Sequence, residues 1–516
     1  MTGNALIFNK KYEVFNLSNP TIDKCHEFMY NYFYIYSCYL LYIVYYWQCR
    51  NEDAMIEDKW QNAEKGNPYM NPFKINIPDK VKSILCKLHE AGYEAYIVGG
   101  CVRDTLLGKE PHDWDITTSA TPGEIQRVFS HYQQILTGLK HGTVMVLNHG
   151  EMIEITTYRI DGDYSDGRRP DKVSFTTSII EDLARRDFTI NACAATDIQL
   201  VDPFGGKEDL NKHLIRCVGN PKHRFTEDAL RILRGIRFAS VLGFQVEEET
   251  KKAMFECLSL IKNVSQERIT VEFCKTILGF NVKDTLLEFF DIFAYIIPEI
   301  KDLYGFDQQN RHHIYNVYEH SLVAVESIES DIVLRATMFF HDIGKPRCFT
   351  VDENKEGHFY GHPEISAQIT NKILRRMRFS NTDIHNITQL IKYHDTNITA
   401  NSKSIKRLLN KIGEEQFRRL LKVKKADVLA QNPIYSNRNL GLLKNIEIVL
   451  NNVIADNSCF SLKDLAINGD DLIQLGIPKG KEIGIILNQL LDLVIQEEIH
   501  NTKDALIGKA KHMFLQ

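Results

Sequence analysis

The chain has 516 residues, a net charge of −5 and 44% hydrophobic residues. This length leaves room for several domains with cores of their own. The nearly balanced charge excludes a surface that attracts nucleic acid as a whole, so such a partner would need a local basic face. The cysteines form no CxxC pair, which favours reduced thiols and a cytoplasmic location over a disulfide-stabilised secreted protein.

The first residues differ in character from the rest of the chain. Residues 28–49 carry no charge and are numerous enough to cross a bilayer, but they are crowded with tyrosine, which prefers the membrane interface. No basic segment with a small-residue cleavage site accompanies them. We therefore expect residues 1–69 to be a poorly structured extension or a start-site artefact, and we expect no membrane partner.

The following segments alternate between helical and strand patterns. Apolar residues recur at helical spacing from Val81 to Leu88, before Gly92, and the strand "EAYIVGG" follows. The run "GTVMVLNHGEMIEITTYR" predicts a β-hairpin with its turn at 148–150. Beyond Thr226 the pattern is helical. These patterns predict an α+β chain with a mixed-sheet head followed by an all-α region.

Three carboxylates in the head indicate a metal site. In the predicted strand "DWDIT", Asp113 and Asp115 would point to the same side. Such clustered anions suit magnesium, which prefers oxygen ligands and often joins carboxylates to substrate phosphates. Glu154 is a charge between Ile153 and Ile155 and would be costly to bury without a partner. We expect it to be the third carboxylate of the site.

A glycine pair precedes these carboxylates. Gly99 and Gly100 follow the predicted strand, and their backbone N–H groups can approach phosphate oxygens. Arg103 adds a fixed positive charge. Two spaced aspartates alone are more often a solvated turn. Together with the glycines, the arginine and Glu154, they favour a site for a nucleotide triphosphate and magnesium.

A series of motifs resembles the class II tRNA nucleotidyltransferases, which include CCA-adding enzymes and bacterial poly(A) polymerases. The matching motifs, in order, are "GGCVRDTLLG", "HDWDITT", "RRDFTINA", "DPFGGKEDL" and "FTEDALRILRGIRFA". The resemblance extends from about Pro72 to the C-terminus. It implies a polymerase β-like nucleotidyltransferase head with an all-α neck, body and tail, and the addition of CCA to the 3′ end of tRNA, not DNA, from CTP and ATP.

The resemblance also assigns roles to individual residues of the head. It implies that Gly100 and Arg103 bind the triphosphate and that Asp113 and Asp115 hold magnesium. It further implies that Arg186, in "RRD", contacts the nucleotide.

The segment "RFTEDALRILRGIRF" carries the residues that would choose the base. It predicts a helix that Thr226 caps, with Glu227 and Asp228 in its first turn. Cytosine and adenine both place an amino donor beside a ring-nitrogen acceptor, whereas uracil and guanine present the reverse. A carboxylate acceptor at Asp228 and a guanidinium donor at Arg231 would therefore match C and A. A routine charged helix face remains the alternative interpretation of these residues alone.

The resemblance assigns base selection to the same two positions. It implies that Glu227 steadies Arg231, and that nucleotide or phosphate is reached by Arg234 and Arg237. The charged loop from Tyr158 to Phe175 resembles one that accompanies the switch from C to A addition, which favours complete CCA addition. A poly(A) polymerase or an enzyme that adds only A stays open.

Histidines and aspartates recur in order in the helical region. They are His320, His341, Asp342 and Asp427, with His362 and His394 between the last two. Imidazole and carboxylate ligands suit a transition metal such as nickel, manganese or zinc. The order resembles the HD phosphohydrolase domain, which implies that the first four bind a metal and that the other two bind a second metal or phosphate. Phosphatase or 2′,3′-cyclic phosphodiesterase activity would follow.

These patterns divide the chain into an extension (1–69), a head (70–215), a neck (216–280), a body with the HD domain (281–430) and a tail (431–516). Basic residues recur between Lys403 and Lys425, and we expect some of them, together with the tail, to contact tRNA. An alternative is an HD phosphohydrolase whose head only senses nucleotide. The intact carboxylates Asp113, Asp115 and Glu154 argue against it.

Overall fold

The computed structural model describes residues 75–162, 173–456 and 458–514. Apart from residues 75–76 and 197–199, which belong to a separate compact unit, the described residues lie in one compact unit. The predicted extension at 1–69 falls outside them. Within the described ranges, no helix combines the length and the apolar character needed to cross a bilayer.

A mixed sheet forms the centre of the head. The strands of this region are β1 (Ala95–Val98), β2 (Asp115–Thr118), β3 (Gln134–Ile135), β4 (Thr143–Asn148), β5 (Glu151–Thr157), β6 (Arg159–Asp161), β7 (Val173–Phe175), β8 (Ala194–Ala195) and β9 (Leu200–Val201). The sheet has the order β3-β4-β5-β2-β1-β8-β9. In it β2 and β5 are parallel, and every other neighbouring pair is antiparallel.

The predicted β-hairpin is present as β4 and β5. Asn148 pairs with Glu151, so the turn consists of His149 and Gly150 alone, and both have positive φ, at 47° and 81°. Two such residues make the tight turn whose twist matches that of antiparallel strands. The strands β6 and β7 pair with each other within the charged loop from Tyr158 to Phe175, whose residues 163–172 lie outside the described ranges.

Helices cover the sheet. Those of the head are α1 (Asp79–Glu90), α2 (Gly100–Leu106), α3 (Pro122–Val128), α4 (Ile179–Ala184) and α5 (Gly206–Asn211). The predicted first helix is confirmed as α1. Pro78 precedes it, where a missing N–H costs nothing, and its apolar face, from Val81 to Leu88, is buried.

The neck contradicts the prediction of one helix capped by Thr226. The chain forms α6 (Pro221–Glu227) and α7 (Leu230–Leu242), and Asp228 between them has extended φ and ψ of −146° and 104°. Asn220 caps the earlier helix by accepting a hydrogen bond from the His223 backbone N–H. Thr226 is therefore in the last turn of α6, and the Asp228 carboxylate accepts from the Leu230 N–H at 3.0 Å at the start of α7.

The rest of the chain is helical apart from two-residue strands. The helices are α8 (Glu248–Glu256), α9 (Gln266–Ile277), α10 (Val282–Glu288), α11 (Phe290–Ile296), α12 (Val317–Glu326), α13 (Ile332–Phe340), α14 (Lys345–Cys348), α15 (His362–Arg376), α16 (Asn381–Tyr393), α17 (Ser402–Leu429), α18 (Pro433–Ala455), α19 (Gly469–Gln474), α20 (Lys481–Ile495) and α21 (Lys503–Phe514). The short strands are β10 (Leu214–Ile215), β11 (Gln245–Val246), β12 (Thr350–Val351) and β13 (Gly357–His358). The predicted α+β fold with an all-α second part is confirmed.

One hydrophobic core runs through the neck and the body. It extends along the chain from Phe188 to Val453 and includes residues of α18. A second core begins at Cys459 and ends at Ala510. The helix α18 therefore packs with the body, and the segment with a core of its own begins after it.

A buried arginine joins the neck to the body. Arg335, on α13, donates from Nη1 to the backbone oxygens of Ile277 at 2.8 Å and Gly279 at 2.6 Å. These carbonyls lie at and just beyond the end of α9, where helices leave acceptors unsatisfied and favour positive charge. The contact holds the last turn of α9 against the helix that leads directly to His341.

Candidate functional sites

A glycine turn opens the candidate site in the head. Gly99 has φ 79° and ψ −126° and directly precedes α2, a conformation that favours glycine. A Cβ on Gly99 would lie 3.1 Å from Nη1 of Arg186. The missing side chain thus lets the Arg186 guanidinium approach the backbone at the start of α2, beside Gly100.

Arg103, one turn along α2, is held in place on two sides. Its Nη1 donates to Oδ1 of Asn191 at 2.7 Å, and its Nε donates to Oδ1 of Asp104 at 2.9 Å. The guanidinium lies 5.2 Å from the ring centroid of Phe238. The positive charge is therefore fixed in orientation, as a group that receives phosphate must be.

The sheet brings two of the three predicted carboxylates together. Asp115 is the first residue of β2 and pairs in register with Glu154 on the parallel strand β5. Asp113 precedes β2, so its predicted place inside the strand is wrong: no neighbouring strand pairs with it, and β2 begins where its pairing with β5 begins. Glu154 keeps an exposed surface while Ile153 and Ile155 are buried, so its carboxylate is only partly removed from water.

The electrostatics of this carboxylate pair favour a bound cation. Removal from bulk water raises the pKa of Asp115, Arg186 opposes this, and Asp113 adds to it. Desolvation raises the pKa of Glu154, and the negative charge of Asp115 raises it further. The charged forms of the two carboxylates are therefore disfavoured beside each other. A bound divalent ion with oxygen ligands would compensate this repulsion.

The head and the neck share one cleft of about 460 Å³. Seven arginines and three aspartates line it. The predicted site residues among its walls are Gly99, Gly100, Arg103, Asp115, Arg186, Asp228, Arg231, Arg234 and Arg237. Residues that the sequence places more than a hundred positions apart therefore meet in one space with an excess of positive charge.

Arg231 is fixed by partners from the neck and the head. Its Nη1 donates to the Glu227 carboxylate and to the Arg224 backbone oxygen at 3.0 Å, and its Nη2 donates to the Arg185 backbone oxygen at 3.1 Å. The side chain is buried, with 9% of its surface exposed. Glu227 thus contacts the arginine in the way that the resemblance implies.

Asp228 has a partner that the sequence analysis missed. Arg268, on α9, donates from Nη2 to Oδ2 at 2.6 Å and from Nη1 to Oδ1 at 3.3 Å. Such a two-point contact fixes the plane of a carboxylate. Forty positions separate the two residues, and no spacing in the sequence marks the pair.

Two further arginines of the cleft, Arg234 and Arg237, are also paired with carboxylates. Arg234 contacts Asp187 at 2.7 Å, and Arg237 contacts Glu272 at 2.8 Å. Burial alone would raise the pKa of Asp187, but the Arg234 guanidinium outweighs it and lowers that pKa to about 2. Both guanidiniums lie over the Phe238 ring, at 5.7 and 4.2 Å from its centroid. These pairings fix the orientation of the charged groups that line the cleft.

Comparisons with known proteins agree with this arrangement. Three family descriptions match parts of the chain, namely "Poly A polymerase head domain" at 95–216, "Probable RNA and SrmB- binding site of polymerase A" at 243–304 and tRNA nucleotidyltransferase domain 2 at 362–510. A CCA-adding enzyme from Ligilactobacillus salivarius (strain UCC118) is 37% identical over 446 residues, which cover 85% of this chain and 98% of that protein. The chain belongs to the CCA-adding enzyme family.

Other members of the CCA-adding enzyme family support the same assignment. The enzyme from Lactobacillus helveticus (strain DPC 4571) is 36% identical over 440 residues, covering 83% of this chain and 96% of its own. The crystal structure of the Bacillus stearothermophilus CCA-adding enzyme in complex with CTP is 27% identical, with a TM-score of 0.62 over 85% of this chain and 97% of that one. The Thermotoga maritima enzyme, at 21% identity and a TM-score of 0.53 over 85% and 96%, shares the fold.

A second cluster of ligand side chains lies in the body of this CCA-adding family member. The HD cluster, as we call it, consists of His320, His341, Asp342, His362, His394 and Asp427. Within the described ranges, its atoms form two groups of potential metal ligands, each within 4.8 Å: His320, His341 and Asp342, and Asp342, His362 and His394. Asp342 belongs to both. Asp427 adds to the first, since its Oδ1 lies 3.0 Å from His320 Nε2 and 3.6 Å from His341 Nε2.

Helix ends place these side chains. His341 follows the last residue of α13, His394 follows that of α16, and His362 begins α15. His320 lies within α12 and Asp427 near the end of α17. The predicted histidines and aspartates therefore converge from helices that are far apart in the chain.

The backbone sets the tautomer of each histidine in the HD cluster. The Nδ1 atoms of His320, His341, His362 and His394 lie 3.1, 2.7, 2.8 and 2.6 Å from carbonyl oxygens of Ala430, Met338, Phe359 and Ile391. A carbonyl only accepts, so each Nδ1 must carry a proton, and Nε2 is the nitrogen that can bind a metal once it is unprotonated. The Nε2 atoms face Asp342 or Asp427. This is the arrangement of metal-ligating imidazoles and the groups that orient them.

The HD cluster attracts positive charge. Burial lowers the pKa of His341, but the Asp342 and Asp427 carboxylates outweigh it and raise that pKa to about 10. Lys345 adds a cation, because its Nζ lies 2.7 Å from Oδ2 of Asp342 and donates to Oε1 of Gln308 at 2.8 Å.

The basic residues between Lys403 and Lys425 do not form one continuous face. Several are paired with carboxylates: Lys406 with Glu497, Arg418 with Glu414, Arg419 with Glu415 and Lys422 with Glu329. Lys424 instead donates to the His394 backbone oxygen at 2.7 Å. Lys403, Arg407 and Lys411 line a separate cleft of about 360 Å³, and Lys403 also lies 3.8 Å from Glu497.

Proposed function

We propose that this chain adds the 3′-terminal CCA of tRNA, using CTP and ATP and releasing pyrophosphate. The observation that carries the proposal is the shared cleft, which joins the glycine turn and Asp115 of the head to Asp228 and Arg231 of the neck. Membership of the family supports it. The Bacillus stearothermophilus relative was solved with CTP, and the Thermotoga maritima relative with tRNA-CCA.

The head would carry the transfer step. The tRNA 3′-hydroxyl attacks the α-phosphate in line, and pyrophosphate leaves. Asp113, Asp115 and Glu154 would hold magnesium, which supplies the charge that stabilises the attacking and departing oxygens. The N–H groups of the glycine turn, Arg103 and Arg186 bind and orient the triphosphate.

The neck would choose the base. The Asp228 carboxylate accepts from the amino group that C and A share, and Arg231 donates to their ring nitrogen. Arg268 and Glu227 hold these two side chains in the required planes. Arg234 and Arg237 supply positive charge toward the base or its phosphates. Exchanging the charged groups at Asp228 and Arg231 should weaken use of CTP and ATP and admit UTP or GTP.

The experiment that tests the transfer function uses tRNA that lacks its last three nucleotides. The purified protein is given CTP, ATP or both, and the product ends are sequenced. We expect CC with CTP alone and CCA with both. ATP-only extension into a tail would instead identify a poly(A) polymerase, and growth by a single A on tRNA ending in CC, with no use of CTP, would identify an A-adding enzyme.

A variant links that activity to the proposed carboxylates. Asp113→Ala should abolish incorporation while tRNA binding, measured by gel shift, stays near that of the parent protein. Glu110→Gln is the matched control, since Glu110 is exposed in the same loop. Normal turnover by Asp113→Ala in magnesium would refute the assignment.

We also propose a phosphohydrolase activity for the HD cluster. Its support is the pair of ligand groups that share Asp342 and whose histidines are oriented through Nδ1. Nickel, manganese or zinc would be held by these imidazoles and carboxylates and would supply an activated water for attack on phosphorus. The proposed substrates are phosphomonoesters and 2′,3′-cyclic phosphates, such as those of damaged RNA ends.

Metal reconstitution tests this second activity. Protein stripped of metal and loaded with Ni²⁺, Mn²⁺ or Zn²⁺ should hydrolyse 2′,3′-cyclic AMP or p-nitrophenyl phosphate, and His341→Ala should not. Failure of every reconstituted form on both substrates would count against it.

The domain limits given in the sequence analysis and a cytoplasmic location also remain proposals. We further propose that the C-terminal segment, which includes α19 to α21, contacts tRNA beyond the body.

A further inference from the structure

One more histidine packs against the HD cluster. His313 lies in the loop before α12, and its ring meets that of His320 edge to face, with centroids 5.0 Å apart and planes at 85°. Its Nδ1 is buried and has no hydrogen-bond partner among the described residues. A buried nitrogen without a hydrogen-bond partner is unfavourable, so a ligand that hydrogen-bonds to the ring would remove this cost.

The loop that carries His313 is held on several sides. Asn310 Nδ2 donates to the Gly357 backbone oxygen at 3.1 Å, and Gln308 Nε2 donates to the Tyr315 backbone oxygen at 3.1 Å. The Asn432 N–H donates to the His312 backbone oxygen at 2.8 Å. The ring therefore stays beside His320 because the loop that carries it is held in place, and a hydrogen bond to Nδ1 is not needed for this.

The ring differs in role from the metal ligands proposed for the cluster. His313 belongs to neither of the two groups of potential metal ligands found among the described residues. An imidazole has an N–H to donate, and beside a cluster proposed to hold metal cations the matching acceptor is an anionic oxygen.

We propose that His313 donates a hydrogen bond to a phosphoryl oxygen of the substrate held at the HD cluster. This inference rests on the proposed phosphohydrolase function and assigns the residue a direct contact with the reacting group. In hydrolysis of a 2′,3′-cyclic phosphate, the oxygen of water bonds to phosphorus and the P–O2′ bond breaks. One proton of that water ends on the departing O2′ and the other goes to solvent. A donor aimed at the oxygen where charge grows lowers the barrier.

Steady-state kinetics with 2′,3′-cyclic AMP test the contact. The Mn²⁺-loaded parent protein is compared with His313→Ala, His313→Asn and the neighbour control His312→Ala, whose ring packs on Tyr435 at 4.4 Å. We expect His313→Ala to lower kcat on the order of 100-fold, with KM and the bound metal per chain little changed. His313→Asn keeps an N–H donor and should recover part of kcat, and His312→Ala should match the parent.

Each other outcome overturns the inference. A kcat for His313→Ala equal to that of the parent shows that the ring touches nothing in the reaction, and loss of metal from this variant shows that it is a ligand. Asn without any recovery shows that the N–H is not the operative group. If the parent itself hydrolyses neither cyclic AMP nor p-nitrophenyl phosphate, the phosphohydrolase proposal has failed, whereas an active parent with an unaffected alanine variant rejects His313 alone.

Discussion

Arg268 holds Asp228 through two N–H groups, at 2.6 and 3.3 Å, although Asp228 lies between α6 and α7 and Arg268 lies on α9. The contact turns a carboxylate at a helix junction into an acceptor with a fixed plane. It also neutralises a negative charge that would otherwise repel an incoming triphosphate. In the proposed function, base selection therefore depends on α9 as well as on α7.

The first prediction follows from that contact. Arg268→Ala should lower kcat/KM for CTP and ATP by about 10- to 100-fold, because hydrogen bonds to charged groups contribute about 1.5–3 kcal/mol, and it should raise misincorporation of UTP and GTP. Single-nucleotide incorporation with each of the four triphosphates measures both effects. Lys275→Ala, on an exposed position of the same helix, is the control, and an unchanged base preference in Arg268→Ala would contradict the role of this pair.

A second prediction distinguishes two effects of a side chain at Gly99: the strain of its positive φ and the steric contact with Arg186. Gly99→Ala and Gly92→Ala both place an alanine at positive φ, 79° and 85°, and should each lose about 1–2 kcal/mol of stability. Only at Gly99 would the added Cβ meet a neighbour, 3.1 Å from Arg186 Nη1. Nucleotide binding, measured by calorimetry, should weaken in Gly99→Ala alone, and equal affinities in the two variants would mean that Arg186 does not need the close approach.

A third prediction concerns pH. Asp187 has its pKa lowered to about 2 by Arg234 against the opposing effect of burial, and its ordinary pKa is 3.8. A carboxyl with a depressed folded-state pKa adds stability that is complete above the unfolded value and is lost as pH falls toward the folded one. The advantage of the parent over Asp187→Asn should therefore be about 2 kcal/mol at pH 6 and should shrink below pH 4. Denaturant unfolding of both proteins from pH 3 to 6 measures it, and a difference that grows on acidification would have the wrong sign.

A fourth prediction uses the sharing of Asp342. Asp342→Asn removes a ligand from both groups of the HD cluster, whereas Asp427→Asn touches only the group of His320 and His341. Metal per chain, measured by mass spectrometry after loading with Mn²⁺, should fall further in Asp342→Asn than in Asp427→Asn. Equal losses would show that the cluster holds one ion with all of its ligands together.

The sequence predicted those features that depend on local patterns. The period-2 alternation around the turn at His149 and Gly150 gave the hairpin, and the helical spacing from Val81 to Leu88 gave α1. It misplaced Asp113 and Thr226 because strand pairing and helix starts depend on neighbours outside the segment. Pairing with β5 begins only at Asp115, and Asn220 caps an earlier helix.

The candidate sites were predictable as residue types but not as contacts. The order of the motifs predicted Asp115, Asp228 and the residues of the HD cluster as site residues. In the structure, Asp115 and Asp228 line one cleft and the HD cluster lies in the body. Arg268 and His313 were missed because each owes its position to tertiary packing: one reaches a carboxylate forty positions away, and the other stands against His320 on a loop held by side-chain hydrogen bonds. The spacing of residues in the sequence predicts neither the contact of Arg268 nor the position of His313.

The hydrogen bonds from Arg335 to the end of α9 make that helix a direct connection between the two proposed sites. Its first turn carries Arg268, which holds the Asp228 carboxylate, and its last carbonyls are bonded to the helix that leads to His341. A cut between neck and body would separate these two contacts and expose a hydrophobic core that both parts share. We therefore expect point substitutions to remove either proposed activity alone, whereas the neck and the body should not work as separate fragments.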